Sequence, residues 1–344
     1  KIASKESLDK LALYNGPEAT SWSNWVHPND TNAPCWLINP EIDHLQTGKL
    51  ISLVSNFNIR VASIFYDAIP YFRDDLFEKI WQINMKVYLL DLLRSDKIYP
   101  ISNSAMNDLI KFSLKQNTRI NSLEHRIKSM PLPEELPSTE RVLCSKLQRH
   151  SDSINILCVA SVEKRKNILT LIDSLESVLL QTNKRIFFTL VGRNVDPALA
   201  EEILNRLKLH GDFKWLQDVD ENTLRELYRG SDFTVFPSIA EGYGLPIVES
   251  LWNGRPCVVH NEGSMLDIAS KGGCVTVNMK NAEELASALV KLIEDYSRIE
   301  DLANEATTRE MRTWINYAKD LISDIAHDRL CNLRNQNILS ENEN

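Results

Sequence analysis

The sequence predicts an α/β protein built on a parallel, doubly wound sheet, and three observations carry that prediction. From Ser151 onward, short apolar runs alternate with segments of helical period, the pattern of strands buried on both faces and joined by crossover helices. Nine of the 11 glycines lie after residue 150 and nine of the 13 prolines before it, so the two parts are built differently. Finally, 344 residues that are 43% hydrophobic and 25% charged suit a globular chain of about two domains.

In the first part, strands are expected at Cys35–Ile38, Ile59–Tyr66 and Lys97–Ile101, with helical stretches at Leu76–Leu93 and Ala105–Leu114. That is fewer strands than a complete sheet needs. The stretch MPLPEELPSTE (Met130–Glu140) reads as the linker, because three prolines and several charges oppose regular structure. Beyond it the expected strands are Ile154–Ser161, Ile186–Gly192, Phe213–Leu216, Phe233–Ser238, Cys257–His260 and Cys274–Asn278. The clearest helix spans Asn281–Ile293. Asn281 is placed to cap it, Glu284 stands at the capping-box position, and Leu285, Ala288, Leu289, Leu292 and Ile293 form one stripe. Another runs from Asp220 to Arg229, with Leu224, Leu227 and Tyr228 on one face and Gly230 beyond its end.

Charge follows the same division. Residues 1–150 carry 18 basic and 17 acidic side chains, so the excess behind the net charge of −8 lies in the remainder. A nucleic-acid partner is not expected, because phosphate backbones call for a basic face. No apolar run approaches the roughly 20 residues that span a bilayer, and no signal peptide opens the chain; a cytoplasmic protein, soluble or peripheral, is expected. The six cysteines show no CxxC spacing, and Cys158, Cys257 and Cys274 sit in apolar runs, which reads as buried free thiols in a reducing compartment. Lys1 in place of a methionine reads as a processed or excised start.

The most informative stretch is PSIAEGYGLPIVESLWNGRP (Pro237–Pro256), which follows an expected strand and opens a helix. Pro246 suits a first helical turn, Gly242 and Gly244 let backbone amides approach a ligand, and the helix start adds free N–H groups and the positive dipole end. That makes an anion cradle. It is bracketed by Glu241 and Glu249, carboxylates better suited to hydroxyls than to phosphate. A second anion site is expected at SVEKRKN (Ser161–Asn167), where Lys164, Arg165 and Lys166 sit between a strand and a helix capped by Asn167. Cations at the carboxyl end of a strand can neutralise a diphosphate leaving group. Taken singly, each reads as readily as a tight turn or a solvated charge cluster; their combination favours a site.

These residues resemble the retaining nucleotide-sugar glycosyltransferases of family 4. The resemblance covers Ile154 to about Leu321. It rests on EGYGLPIVE, with seven residues between Glu241 and Glu249, and on Arg165–Asn167, Val191–Gly192, LQDVDENTLRELYRGSDFTVFPS (Leu216–Ser238), GSMLDIA (Gly263–Ala269) and Trp314. It implies the GT-B fold, two Rossmann-like domains facing a central cleft, here with an incomplete or atypical first domain. The domains would be residues 1–140 on the acceptor side, 141–320 for the nucleotide-sugar, and 321–344 as a final helix and tail packing back on the first.

By position, Arg165 and Lys166 resemble the basic pair that holds the donor diphosphate, Glu249 the residue that binds the ribose hydroxyls, and Glu241 the glutamate beside the donor sugar. The amides of Tyr243, Gly244 and Leu245, with Gly242, Gly192 and Val219, would complete the donor site. No metal or other cofactor is implied, and no metal-ligand cluster stands in the sequence. In IFYDAIP (Ile64–Pro70), Tyr66 stands where many members carry histidine, and Asp67 matches the family's aspartate. Ser102 and Ser104 begin the matching serine-rich turn and would line the acceptor side. The family's opening strand and glycine loop have no counterpart here, so they lie upstream or have been replaced.

The resemblance therefore implies transfer of a hexose, mannose or glucose, from a nucleotide-sugar to a sugar, glycan, glycolipid or protein hydroxyl. Anomeric configuration is retained, and domain motion across Met130–Glu140 closes the cleft. The alternative is a noncatalytic nucleotide-sugar-binding domain of a larger assembly. The basic stretch Lys111–Lys128 reads as a solvated helix face, although similar surfaces in relatives contact anionic membranes, which would place the protein at the inner membrane face. Trp22, Trp25 and His27 read either as a sugar-stacking surface or as packing under a loop.

Overall fold

The computed structural model describes residues 35–40, 47–54, 59–116, 125–137, 139–144, 147 and 152–341. The Trp22–Asp30 segment lies outside them, as does part of the basic stretch, residues 117–124.

Six strands make the larger sheet: β4 (Ser153–Val159), β5 (Arg185–Val191), β6 (Phe213–Leu216), β7 (Phe233–Phe236), β8 (Cys257–His260) and β9 (Cys274–Val277). All pairs are parallel and the order is β6-β5-β4-β7-β8-β9, so the winding direction reverses between β4 and β7. This is the Rossmann order, and ligands bind such sheets beyond the carboxyl ends of the strands at the reversal. Every residue of β7 and β8 is buried, which explains their unbroken apolar runs. The strands are those expected from sequence to within one or two residues at their ends; Ala160, Ser161, Gly192, Pro237, Ser238 and Asn278 fall in the loops that leave the sheet. Helix Ala282–Glu294 starts as expected: the Asn281 side chain accepts from the Glu283 and Glu284 amides at 3.0 and 3.1 Å, and Leu285, Leu289, Leu292 and Ile293 are buried. Asp220 caps helix Glu221–Gly230 by accepting from the Thr223 amide. Cys158 and Cys257 are buried and burial raises their thiols, that of Cys158 to about 12.

The smaller sheet has strands β1 (Cys35–Asn39), β2 (Ile59–Phe65) and β3 (Lys97–Pro100), again parallel. Helix Lys79–Leu92 packs Tyr88, Leu89 and Leu92 against Phe65, Leu109 and Phe112. Helix Thr47–Val54, which the sequence reading passed over, covers Val61 with Ile51 and Val54. The protein is thus a GT-B fold, with two Rossmann-like domains of unequal sheet size.

The described residues of the linker have no regular structure, yet several are held by hydrogen bonds and ion pairs. The Met130 and Leu132 amides bond to the Pro100 and Ile101 carbonyls of the first domain, at 2.8 and 3.3 Å. Two residues later Glu134 belongs to the second domain: its buried carboxylate meets Arg309 at 3.1 Å and Lys271 at 2.9 Å. The chain's polar contacts therefore pass from the smaller sheet to the elements around the larger one between Leu132 and Glu134. The chain crosses back before helix Trp314–Glu341, whose Tyr317 and Leu321 pack on Ala62, Tyr99 and Met130. Among the described residues no helix is long and apolar enough to cross a membrane.

Candidate active site

The loops that leave β4 and β7 meet where the sheet reverses. After β4, Lys164–Lys166 form a single 3-10 turn that ends at Asn167 in the left-handed conformation (φ 54°), a backbone state asparagine tolerates. The Asn167 side chain does not cap the next helix as expected; it donates to the Met279 carbonyl and accepts from Thr170. The turn leaves Lys164 exposed and sends Arg165 and Lys166 toward the β7 loop, where Ile239 donates its amide to the Arg165 carbonyl.

There both cations grip one carboxylate oxygen. Glu241 Oε1 lies 2.7 Å from Arg165 Nη1, 2.6 Å from Lys166 Nζ and 2.6 Å from Ser238 Oγ. The Lys166 and Glu241 side chains are only 9% and 11% exposed. Burial alone would raise the Glu241 carboxyl, but Lys166 and Arg165 outweigh it and hold it below its ordinary value. Glu163 accepts from the other arm of Arg165 at 2.9 Å and from Ser161 at 2.7 Å. Two cations thus face two carboxylates. The Lys166 ammonium also sits 4.9 Å from the Phe236 ring centroid.

Next in the loop, Gly242 presses on the first domain. A side chain there would have its Cβ 2.7 Å from the Tyr66 carbonyl oxygen and 3.0 Å from Asp67 Oδ2. The Gly242 carbonyl accepts from Ser102 Oγ at 2.7 Å, and the same oxygen caps helix Asn103–Lys115 by accepting from the Ala105 amide. Asp67 accepts from the Ile69 amide; its carboxyl is raised by burial against the pull of that bond and of Arg165. Ser104 lies against Gly263, and its backbone bonds Asp267. Ser102 and Ser104 therefore bridge the domains. Tyr66, in contrast, donates its hydroxyl to the Pro40 carbonyl at 2.8 Å, toward the end of β1.

Gly244 (φ 118°) opens helix Leu245–Trp252 with no side-chain cap and with Pro246 in the first turn, as the cradle requires. Tyr243 is 7% exposed and donates its hydroxyl to the Leu132 carbonyl, whereas Leu245 is exposed. Glu249 stands apart from the cationic cluster. It accepts from the buried Tyr228 hydroxyl at 2.8 Å, and burial raises its carboxyl against that bond. It faces a cleft of about 240 Å³ that Pro137, Thr139, Glu221, Arg225 and Tyr228 also line. Val219 packs with Tyr228 and Leu224 in a small apolar cluster, and the Gly192 carbonyl accepts from the Trp215 indole. The structure therefore brings together Arg165, Lys166, Glu241, Gly242, Asp67 and Ser102, and places Glu249 in a neighbouring cleft. Among the described residues no group of three or more His, Cys, Asp or Glu side chains is placed to hold a metal ion.

Comparison with known proteins places both loops in a segment that matches a known family. Residues 143–309, which contain both loops, match the family model of Glycosyl transferases group 1. This segment is similar to that family. The O-antigen chain mannosyltransferase B of Escherichia coli is 27% identical over 142 residues, 41% of this chain and 37% of that protein. A serotype-specific mannosyltransferase of the same organism is 25% identical over 239 residues, 67% of this chain and 28% of its own length. The chain thus spans less than half the length of these curated relatives. Among solved structures, the Anabaena protein HepE in complex with UDP and glucose superposes with a TM-score of 0.67 over 84% of this chain and 77% of its own, at 15% identity. Sucrose-phosphate synthase from Thermosynechococcus elongatus gives 0.66 over 85% and 73%, at 16% identity.

Four residues around these loops are not among those the sequence pointed to for the site. Glu163, Ser238 and Tyr228 bond Arg165, Glu241 and Glu249, which were named, and Ser161 bonds Glu163. Glu163 and Ser238 had a signal: an acid inside a basic run and a hydroxyl three residues before Glu241. The partnership of Tyr228 with Glu249 spans 21 residues and depends on tertiary packing.

Proposed function

We propose that the protein is a retaining, metal-independent glycosyltransferase that moves a hexose from a nucleotide-sugar to a hydroxyl acceptor in polysaccharide or glycolipid assembly. Mannose is the favoured sugar, because the curated relatives include mannosyltransferases. The observation that carries the reading is the Arg165–Lys166 pair, set at the sheet reversal with Lys166 buried and Arg165 half-buried, and already holding an anion, the Glu241 carboxylate.

A donor diphosphate would take over those cations and receive the amides at the start of helix Leu245–Trp252. Glu241, released from the pair, would accept hydroxyls of the donor sugar beside Gly242, while Glu249 would accept those of the ribose. In transfer, the bond from the anomeric carbon to the diphosphate oxygen breaks and one to the acceptor oxygen forms on the same face. The acceptor proton passes to the departing phosphate, and Arg165 and Lys166 stabilise the charge that develops there. Asp67, raised by burial, lies on the acceptor side with Ser102 and Ser104.

A thermal-shift panel of UDP-, GDP- and ADP-sugars tests the reading, since a ligand that binds the native state raises its stability by mass action. One donor should stabilise the protein and, with acceptor present, release its nucleoside diphosphate. Stabilisation without release, even with glycan and glycolipid acceptors, would leave a noncatalytic nucleotide-sugar-binding domain.

A further inference from the structure

We infer that Tyr243 is a positioning residue: its hydroxyl ties the donor loop to the point where the chain changes domain, so that nucleotide binding and domain closure act on one hydrogen bond. The inference rests on the proposed donor site and goes beyond it, because the Tyr243 side chain lies outside that site.

The contacts form a closed circuit. Tyr243 donates to the Leu132 carbonyl at 2.8 Å, Leu132 donates its amide to the Ile101 carbonyl at 3.3 Å, and Ser102, next in the chain, donates its hydroxyl to the Gly242 carbonyl at 2.7 Å. Gly242 and Tyr243 belong to the second domain and Ile101 and Ser102 to the first. Leu132 is the last linker residue held by the first domain before Glu134 enters the second. A phenylalanine would fill the same space in the core, so packing alone does not call for the hydroxyl. A buried phenol needs an acceptor, and this one has found it on the pivot. Any rotation of the domains about Leu132–Glu134 must bend the circuit or break it. A ligand on the Gly242–Leu245 amides fixes one side of it.

The experiment compares the wild type with Tyr243→Phe, and uses UDP, GDP and ADP as probes. Three readouts are taken: nucleotide affinity, nucleotide-dependent hydrogen exchange across residues 132–136, and steady-state transfer. Tyr296→Phe, which removes a buried hydroxyl bond to Asp232 within the second domain, controls for general loosening. In the wild type, the nucleotide that binds should slow exchange at 132–136. Tyr243→Phe should bind it within about twofold yet lose that protection, with kcat reduced about three- to tenfold and donor KM little changed, the size expected of one hydrogen bond. Tyr296→Phe should keep the protection. Wild-type protection and kcat in Tyr243→Phe, or equal losses in Tyr296→Phe, would overturn the coupling alone. A wild type that binds none of the three nucleotides would overturn the proposed function and the coupling with it.

Discussion

Glu241 and Glu249 come from one nine-residue stretch and carry the same functional group, yet their surroundings drive them in opposite directions. Glu241 sits between two cations and a serine hydroxyl, which hold it ionised although it is buried. Glu249 meets a phenol in a partly enclosed cleft, and burial raises its carboxyl. The difference teaches that charge state here is a property of the site and not of the motif. The first carboxylate is a fixed countercharge that a stronger anion can replace. The second accepts from one hydroxyl already and suits ligands that bring more.

Removing Lys166 should break this contrast most severely. Lys166→Ala leaves a buried carboxylate with Arg165 as its remaining cation, and the loss of one partner from a buried pair typically costs about 3 kcal/mol. Urea denaturation should show a loss of that order. Transfer should fall more than a hundredfold, because the developing phosphate charge loses a buried cation. Wild-type turnover in this variant would remove Lys166 from the site.

Glu249→Gln should sharpen the contrast by separating binding from stability. Nucleotide affinity should fall about tenfold when a charged acceptor of ribose hydroxyls becomes neutral. Stability at pH 7 should hold or rise. A carboxyl whose folded pKa is raised stabilises the fold while protonated, and that contribution is lost as pH rises through the folded value. Glutamine keeps an acceptor for Tyr228 without this penalty. Thermal shifts with and without nucleotide read both effects, and a variant that loses stability while binding normally would reverse the assignment.

The two glutamates should also separate on a pH scale. The Glu241 carboxyl is depressed, so its pairing contributes above the unfolded glutamate value and is lost as pH falls through the lower, folded one. The slope of stability against pH below about 4.5 should therefore flatten in Glu241→Gln relative to the wild type. An unchanged slope would mean that the Arg165–Lys166 pair does not set the ionisation of Glu241.

Much of this fold was legible because the central strands are buried on both faces. Cys257–His260, buried at every residue, begins and ends where its apolar run does. The expected runs through Ser161 and Ser238 were too long because each small polar residue turns out of the sheet to bond the charged cluster. Helix Thr47–Val54 was missed; it is short and carries a glycine in its first turn, where a Cβ would press on the Asp91 carboxyl group. At the site, the residue types were legible and their pairings were not. Arg165 and Lys166 were expected to await a phosphate, and they hold Glu241, some 75 residues away in sequence. Met130–Glu140 reads correctly as irregular, but composition cannot show that Glu134 is a buried ion-pair partner of Arg309.

Asp324 supplies the mildest test, since it resembles Glu241 in its partners but stands on the helix that returns to the first domain. Lys128 and Lys97 lie 2.6 and 3.1 Å from its carboxylate, and the Tyr99 hydroxyl donates at 2.9 Å. Burial raises the carboxyl, yet these three partners outweigh it and bring it to about 2. The stabilisation is therefore present above the ordinary aspartate value and is lost as pH falls toward 2. After allowance for solvent screening of the partly exposed lysines, Asp324→Asn should cost roughly 1 kcal/mol at neutral pH. Nucleotide affinity should not change, because the partners of Asp324 are Lys97, Tyr99 and Lys128, none of them in either loop of the cationic cluster. If affinity fell in step with stability, the buried pair at Glu241 would be responding to the packing of the returning helix, and the contrast between the two glutamates would extend across the domain crossing.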